Sequence, residues 1–353
     1  MTDYELYATC LPGLEALLLD ELVEYGIGKG HAAEGAGVRF AGGADALMLA
    51  NQRSGVAIQV RVTVAAFHVT KLAELERKAR SIPFRDWFRT RPKITVRSRK
   101  SRLYHTGAVA ERIQRALDAQ LPAGDSDGSE LFVRLDANKL TCSFNTSGAP
   151  LHRRGYRLQT AKAPLREDLA RALLRATWDR QSPLLDPMAG SGTIAVEAAL
   201  LATDRINKRA FAFEQAPCLE GRTAPDWSRQ KAPEIFASDR NAGAIDAASA
   251  NAERAGVREL LDLRVASLSD AHWQSGITVV TNPPFGKRVG KDLRALRPLF
   301  GRLGRNVRDH AQAFGLIFPH GARLERALEL PLTSRLMTDH GGIKVDFLRW
   351  RDG

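Results

Sequence analysis

The chain has 353 residues, 44% of them hydrophobic and 26% charged, the proportions of a globular protein with room for two or three cored domains. No apolar run reaches the ~18 residues that cross a membrane, and Met1-Thr2-Asp3-Tyr4-Glu5 lacks a basic-then-apolar signal, so a cytoplasmic protein without membrane contact is expected. Cys10, Cys142 and Cys218 match no metal or redox spacing, which predicts reduced thiols and no metal, while the net charge of +12 points to a polyanionic partner.

The first third reads as mixed α+β. Residues 4–8 form a short strand, Pro12-Gly13 a turn, and residues 14–25 a helix with Leu14, Leu17, Leu18 and Leu22 on one side. Gly26 stops that helix from the C′ position. Residues 37–40 and 57–64 are further strands. Between Arg77 and Arg102 stand eleven Lys and Arg against one acid, Asp86, with Phe84, Trp87, Phe88 and Tyr104 interleaved or adjacent. Clustered cations beside aromatics are the footprint of a nucleic-acid surface, although a solvated basic face has the same composition. Residues 93–99 alternate as a strand and 107–121 are helical. Residues 131–135 and 140–144 make a hairpin around Asp136-Ala137-Asn138-Lys139.

Gly148-Ala149-Pro150 opens a connector, after which apolar strands alternate with helices, the signature of a parallel α/β sheet. Strands are expected at 183–186, 234–239, 261–265, 277–281 and 313–319, with helices at 193–202, 242–255 and 293–310. Residues 332–337 and 343–350 close the chain as a terminal hairpin.

Three features map to the carboxyl edge of that sheet, where open α/β folds bind ligands. Asp186-Pro187-Met188-Ala189-Gly190-Ser191-Gly192 joins the first strand to a helix, and its glycines let backbone N–H groups approach a ligand. It is no P-loop, since no Gly-Lys-Ser/Thr follows. Gly190, Gly192 and Ala195 do satisfy G-x-G-x-x-A, which keeps a dinucleotide open, but Asp186 suits a positive group better than a pyrophosphate. Asp239 ends the second strand, placed to accept hydrogen bonds from a ribose diol. The fourth strand stops at Asn282-Pro283-Pro284-Phe285, where prolines stiffen the backbone and an amide stands beside an aromatic face. That combination suits a planar amine. Either acid alone would equally serve as a helix N-cap.

These residues resemble a class I S-adenosylmethionine-dependent methyltransferase of the amino-methylating type. Leu11-Pro12-Gly13-Leu14-Glu15, the basic segment, Leu151-His152-Arg153-Arg154-Gly155-Tyr156-Arg157 and Ala163-Pro164-Leu165-Arg166-Glu167-Asp168-Leu169-Ala170 resemble the THUMP-containing RNA guanine-N2 methyltransferases. Within these, the module acting on large-subunit ribosomal RNA is the nearest, and a related branch acts on tRNA. The resemblance implies a ferredoxin-like domain at 1–60, a THUMP RNA-binding domain at 61–150, and a connector with a leading helix at 151–180. A Rossmann-like methyltransferase domain at 181–353 would follow, with a seven-stranded sheet ending in the antiparallel hairpin.

It further implies that Asp186, Pro187, Met188, Ala189, Gly190 and Gly192 hold the methionine end of S-adenosylmethionine, Asp239 the ribose, and Asn282 to Phe285 the target base. Arg91, Lys93, Arg97, Arg99, Lys100, Arg102, Arg153 and Arg154 would meet RNA, although His152, Arg153 and Arg154 would equally serve interdomain packing, and the protein is expected to be a monomer. Where many methyltransferases have an acid after strand three, this chain has Ala266-Ser267-Leu268, so adenine contact passes to Ser267 or to backbone. Asn145, in place of an expected aspartate, reads as structural. The expected chemistry is in-line attack of guanine N2 on the sulfonium methyl, with Asn282 and the Pro283 carbonyl accepting its N–H bonds. Protein glutamine or DNA adenine methylation would use the same grip, and a non-catalytic RNA-binding or assembly factor would keep the fold alone. A nicotinamide dehydrogenase has only G-x-G-x-x-A behind it.

Overall fold

The computed structural model describes residues 3–124, 128–158, 165–205, 209–223, 232–284, 296–321, 324–332 and 334–352. They group into two compact units, one of residues 1–10, 19–151 and 208–225, the other of 11–18, 152–207 and 226–353. No described helix is long and apolar enough to cross a membrane.

The first 150 residues form β1 (Tyr4–Thr9), α1 (Glu15–Glu24), β2 (Lys29–Ala33), β3 (Gly37–Gly42), α2 (Ala44–Arg53), β4 (Gln59–His68), α3 (Leu72–Ala79), α4 (Phe84–Trp87), β5 (Lys93–Arg99), α5 (Thr106–Asp118), β6 (Glu130–Asp136) and β7 (Lys139–Asn145). The seven strands make one sheet, in the order β2-β3-β1-β4-β7-β6-β5. β4 pairs with β1 through Gln59 to Val62 and with β7 through Arg61 to His68. The expected boundary at residue 60 therefore falls inside a strand shared by both halves of the sheet.

Alternation sets the faces of this sheet. Leu131, Val133 and Leu135 of β6 are buried, while Arg134 of the same strand is exposed beside its register partner Arg97 of β5. Three of the aromatics interleaved with the basic segment belong to the core. Phe84, Trp87 and Phe88 are buried, and the Phe88 ring meets Phe144 edge-on at 4.9 Å. Their apolar area is worth more under the sheet than on a wet surface. Asn145 is structural, as read: its amide donates to Glu130 and to the Gly148 carbonyl. Residues 208–225, expected with the last domain, join this unit instead. The Arg209 guanidinium binds the carbonyls of Ser147, Ala149 and Pro150, and the Phe213 N–H binds the Thr146 carbonyl.

The second unit is built from α6 (Glu167–Thr177), β8 (Leu184–Asp186), α7 (Thr193–Ala202), β9 (Ile235–Asp239), α8 (Ala242–Ala255), β10 (Leu261–Val265), β11 (Ile277–Thr281), α9 (Arg297–His310), β12 (Ala311–Pro319), α10 (Glu325–Leu328), β13 (Ser334–His340) and β14 (Ile343–Arg351). Its sheet runs β10-β9-β8-β11-β12-β14-β13, with β10 to β12 parallel and the last two strands antiparallel. This is the terminal hairpin on a parallel sheet that the resemblance implies. Phe300, Leu303 and Val307 of α9 pack onto Val279, Phe314 and Leu316, so one helix face covers the strands that lead to the sheet edge.

α7 has no solvent-facing side, and its Glu197 is wholly buried. Arg154 grips Glu197 with Nε at 2.6 Å and Nη2 at 3.2 Å, Arg171 adds a bond at 3.0 Å, and the Tyr156 hydroxyl donates at 3.0 Å. Arg154 was expected at an RNA surface. With a side chain only 6% exposed, it instead pins the connector to α7. Removing one partner of a buried ion pair strands the other charges in low dielectric. Glu197→Ala is expected to cost about 3–5 kcal/mol in urea unfolding, and a loss under about 1 kcal/mol would show that water reaches the cluster.

Candidate functional site

The sheet edge is organised around Asp186, the last residue of β8. Its side chain is 1% exposed, and Oδ1 accepts from the Met188 N–H at 3.2 Å and the Thr281 hydroxyl at 2.8 Å. No bond to Oδ2 forms among the described residues, although Asp186 lines a cleft. Burial, and after it the neighbouring Asp239 carboxylate, raise its pKa to about 7 against the pull of these two hydrogen bonds. A carboxyl group in this state suits a cationic ligand group, which would recover the charged form.

The loop after Asp186 turns sharply. Gly190 and Gly192 adopt φ of 52° and 78°, the left-handed region that favours glycine. A Cβ on Gly192 would also lie 2.8 Å from the Ala248 Cβ, so α8 packs directly against this loop. The Ala189 N–H binds the Ser238 carbonyl at 2.9 Å, and the Gly190 N–H binds Asp239 Oδ2 at 3.0 Å. Asp239 Oδ1 takes the Asn241 N–H at 3.0 Å. Two of its roughly four lone-pair positions stay open to a ligand diol.

These pieces line one cleft of about 1050 Å³, which crosses the carboxyl ends of β11, β8, β9 and β10. Pro187, Met188, Ala189 and Gly190 form its floor beside Asp239, Ser267 and Asn282. Gly192 stands just behind and is not itself a lining residue. Ser267 donates its hydroxyl to Asp270 Oδ2 at 2.5 Å, leaving its oxygen as an acceptor. Arg302 of α9 lines the cleft and binds the Ser269 hydroxyl at 2.5 Å. Sequence reading missed Arg302, because nothing but the helix register distinguishes it from the other arginines of α9.

Asn282 follows β11 directly. Its Oδ1 is buried and has no hydrogen-bond partner among the described residues, an arrangement that costs about 1–3 kcal/mol unless a ligand donor fills it. Pro283 is buried and Pro284 exposed at the cleft. Phe285 lies outside the described residues. Asp186, Asp239 and Asn282 therefore meet in one cleft, as the order of the strands implied.

The expected RNA-binding residues divide. Lys93, Arg97, Lys100 and Arg102 are exposed and make no ion pair among the described residues, and Arg153 is exposed as well. Arg91 pairs with Asp118 at 3.0 Å, and Arg99 closes bidentately on Asp136 at 2.8 and 3.2 Å. Those two cations, with buried Arg154, are tied to carboxylates of the fold.

Comparison with known proteins adds identity of sequence. Residues 154–344 match the model of the RMKL-like methyltransferase domain, and residues 5–60 match that of the RlmL ferredoxin-like domain. The ribosomal RNA large subunit methyltransferase K/L of Chromohalobacter salexigens is 30% identical over 88% of this chain, which spans 47% of that protein. The putative RNA methyltransferase YpsC of Bacillus subtilis is 28% identical over 99% of this chain and 96% of its own length. A crystal structure of a predicted N6-adenine-specific DNA methylase from Listeria monocytogenes superposes with a TM-score of 0.84 at 27% identity, covering 100% of this chain and 97% of that one.

Two stability measurements test this geometry. Gly192→Ala adds both a left-handed-backbone penalty and a clash, and should cost about 1–3 kcal/mol in urea unfolding. In an Ala248→Gly background, which itself costs about 1 kcal/mol in α8, Gly192→Ala should cost only the backbone penalty; no cost there would rule that penalty out. The folded chain keeps a proton on Asp186 that the unfolded chain loses near its usual carboxylate range. That contribution is complete below about pH 4 and is lost as pH rises through about 7, by up to ~1.4 kcal/mol per unit. Glu167, raised to about 7 by burial against the pull of Arg157, adds to the same decline. His152, lowered to about 4 by burial, opposes this decline up to its usual imidazole range, so Asp186→Asn should remove most of the net slope between about pH 5 and 6.5; an unchanged slope would place the titration elsewhere.

Proposed function

Because this chain belongs to the family of RMKL-like methyltransferases, we propose that it transfers a methyl group from S-adenosylmethionine to the exocyclic N2 of a guanosine in structured RNA, with 23S ribosomal RNA as the substrate. The observation that carries this reading is the buried, unpartnered Oδ1 of Asn282 at the rim of the cleft. An amide oxygen held there has one obvious complement, the N–H of a planar amine.

S-adenosylmethionine supplies an electrophilic methyl group on a positively charged sulfur. Asp186 presents a buried carboxylate to a cationic part of the donor, and Asp239 offers its open lone pairs to the ribose hydroxyls. The Ser267 oxygen stands at the far end of the cleft. Asn282 Oδ1 and the Pro283 carbonyl each accept one N–H of the target amine and draw its nitrogen out of conjugation with the ring. Both acceptors are held in advance, so they stabilise the positive charge that develops without reorganising. Phe285 is the residue assigned to stack on the flipped-out base, which offsets a few kcal/mol of unstacking.

Lys93, Arg97, Lys100, Arg102 and Arg153 are the phosphate contacts in this reading, and residues 61–150 act as a THUMP-type RNA-binding domain in a cytoplasmic protein. The basic surface favours RNA over a protein amide. The same amine grip would accept adenine N6, so the product must be read directly.

Purified protein should transfer tritiated methyl to ribosomal RNA that lacks the modification. Nucleoside mass spectrometry should then show N2-methylguanosine; N6-methyladenosine would overturn the guanine assignment. Asn282→Ala should lower the transfer rate by ~10²-fold or more, as for loss of an oxyanion-type hydrogen bond. Survival of more than about a tenth of the activity would remove Asn282 from the mechanism.

A further inference from the structure

The loop between β5 and α5 stands apart from the rest of the basic segment. While Phe84, Trp87 and Phe88 are buried, Tyr104 is 67% exposed. Its ring lies 4.1 Å from that of His105, also exposed, at an interplanar angle of 40°. A single exposed aromatic is ordinary on a protein surface, so the meaning of this pair rests on the loop that carries it and on its neighbours.

The loop that carries this pair is fixed. The Ser98 hydroxyl donates to the Leu103 carbonyl at 2.8 Å, closing the loop on itself. From the β6–β7 turn, the Asn138 N–H reaches Ser101 Oγ at 2.9 Å and the Ala137 N–H reaches the Arg99 carbonyl at 3.2 Å. Asn138 Oδ1 in turn accepts from the Arg102 N–H at 2.8 Å. Four bonds over residues 98 to 103 fix the backbone that leads into the ring pair before anything binds, which lowers the ordering cost of binding.

The surroundings select the occupant. Lys100 and Arg102, both exposed and without an ion pair among the described residues, stand in the same loop as the aromatic pair, and β5, which leads into it, exposes Arg97 and Lys93. An acidic or phosphate-bearing partner is favoured, and the ring face calls for a flat group within it. A base in a duplex already stacks on its neighbours and does not present a face.

We propose that Tyr104 and His105 form a stacking platform for an unpaired base of the RNA substrate, with Lys100 and Arg102 on the flanking phosphates. The proposal rests on RNA being the substrate and adds a single-stranded element that the cleft itself does not require.

Fluorescence anisotropy of the full chain with a fluorescein-labelled oligoadenylate, and with an RNA duplex of the same length, tests it. Tyr104→Ala should weaken oligoadenylate binding by roughly five- to a hundred-fold and duplex binding by less than about two-fold. Tyr104→Phe should keep single-strand affinity, since the ring face is retained. Arg102→Ala should weaken both probes and lower the salt slope by about one. Unchanged oligoadenylate affinity in Tyr104→Ala, or an equal loss on both probes, overturns the platform while leaving RNA methylation intact. Failure of the unsubstituted protein to bind either probe overturns the platform and the RNA reading together.

Discussion

The hydrogen bond from the Thr281 hydroxyl to the Asp186 carboxylate, 2.8 Å long and buried, is the tie on which the site depends. β8 has three residues and pairs with β11 only through Leu184 and Leu185. The backbone ladder therefore ends before the loop that faces the cleft, and the side-chain bond continues the junction past it. Thr281 immediately precedes Asn282, so the same bond sets the amide oxygen against the loop of Asp186 to Gly192. A buried carboxylate is a costly way to make a joint, and the upward shift of its pKa registers that cost. A cationic ligand group beside Oδ2 would relieve it.

Around that tie the second unit adds layers of constraint. Asp239 caps the Gly190 N–H from β9, and Ala248 of α8 presses on Gly192. Glu197 locks α7 to Arg154 and Arg171 behind the same loop. Each contact comes from a different strand or helix, and each limits movement of the loop in a different direction. In the proposed reaction catalysis by positioning needs such rigidity, because Asn282 and the Pro283 carbonyl would act by holding the reacting nitrogen. In the first unit the basic charge is likewise sorted. Arg91 and Arg99 are neutralised locally, while Lys93, Arg97, Lys100 and Arg102 are left to solvent.

Much of the architecture was legible along the chain. The strands at 93–99, 261–265 and 277–281 and the helices at 193–202 and 242–255 stand where periodicity put them. β2, α2, α3, α4 and α10 went unread. β2 is an edge strand, Lys29-Gly-His-Ala-Ala, with four of five residues exposed, so no apolar alternation marks it. α2 begins after Gly42-Gly43 with no side-chain cap and shows only a weak apolar stripe. Cations proved harder than elements. Arg153 and Arg154 are neighbours in a basic run, yet one is exposed and the other meets a carboxylate 43 residues later.

The linear order alone brought the candidate residues of the site to one edge, while their roles were implied by the family resemblance. A glycine-rich turn after Asp186, an acid at the end of the next strand and Asn-Pro-Pro-Phe at the end of another are short-range patterns, and parallel strands carry their carboxyl ends to one edge. Tertiary structure decided the matters that depend on partners far away in sequence. It alone shows that Asn282 Oδ1 lacks a partner among the described residues, that Phe84, Trp87 and Phe88 leave the surface while Tyr104 stays, and that three of eight RNA-facing candidates are held by carboxylates. Burial and pairing are properties of neighbours in space, and a one-dimensional pattern holds no record of them until the chain has folded.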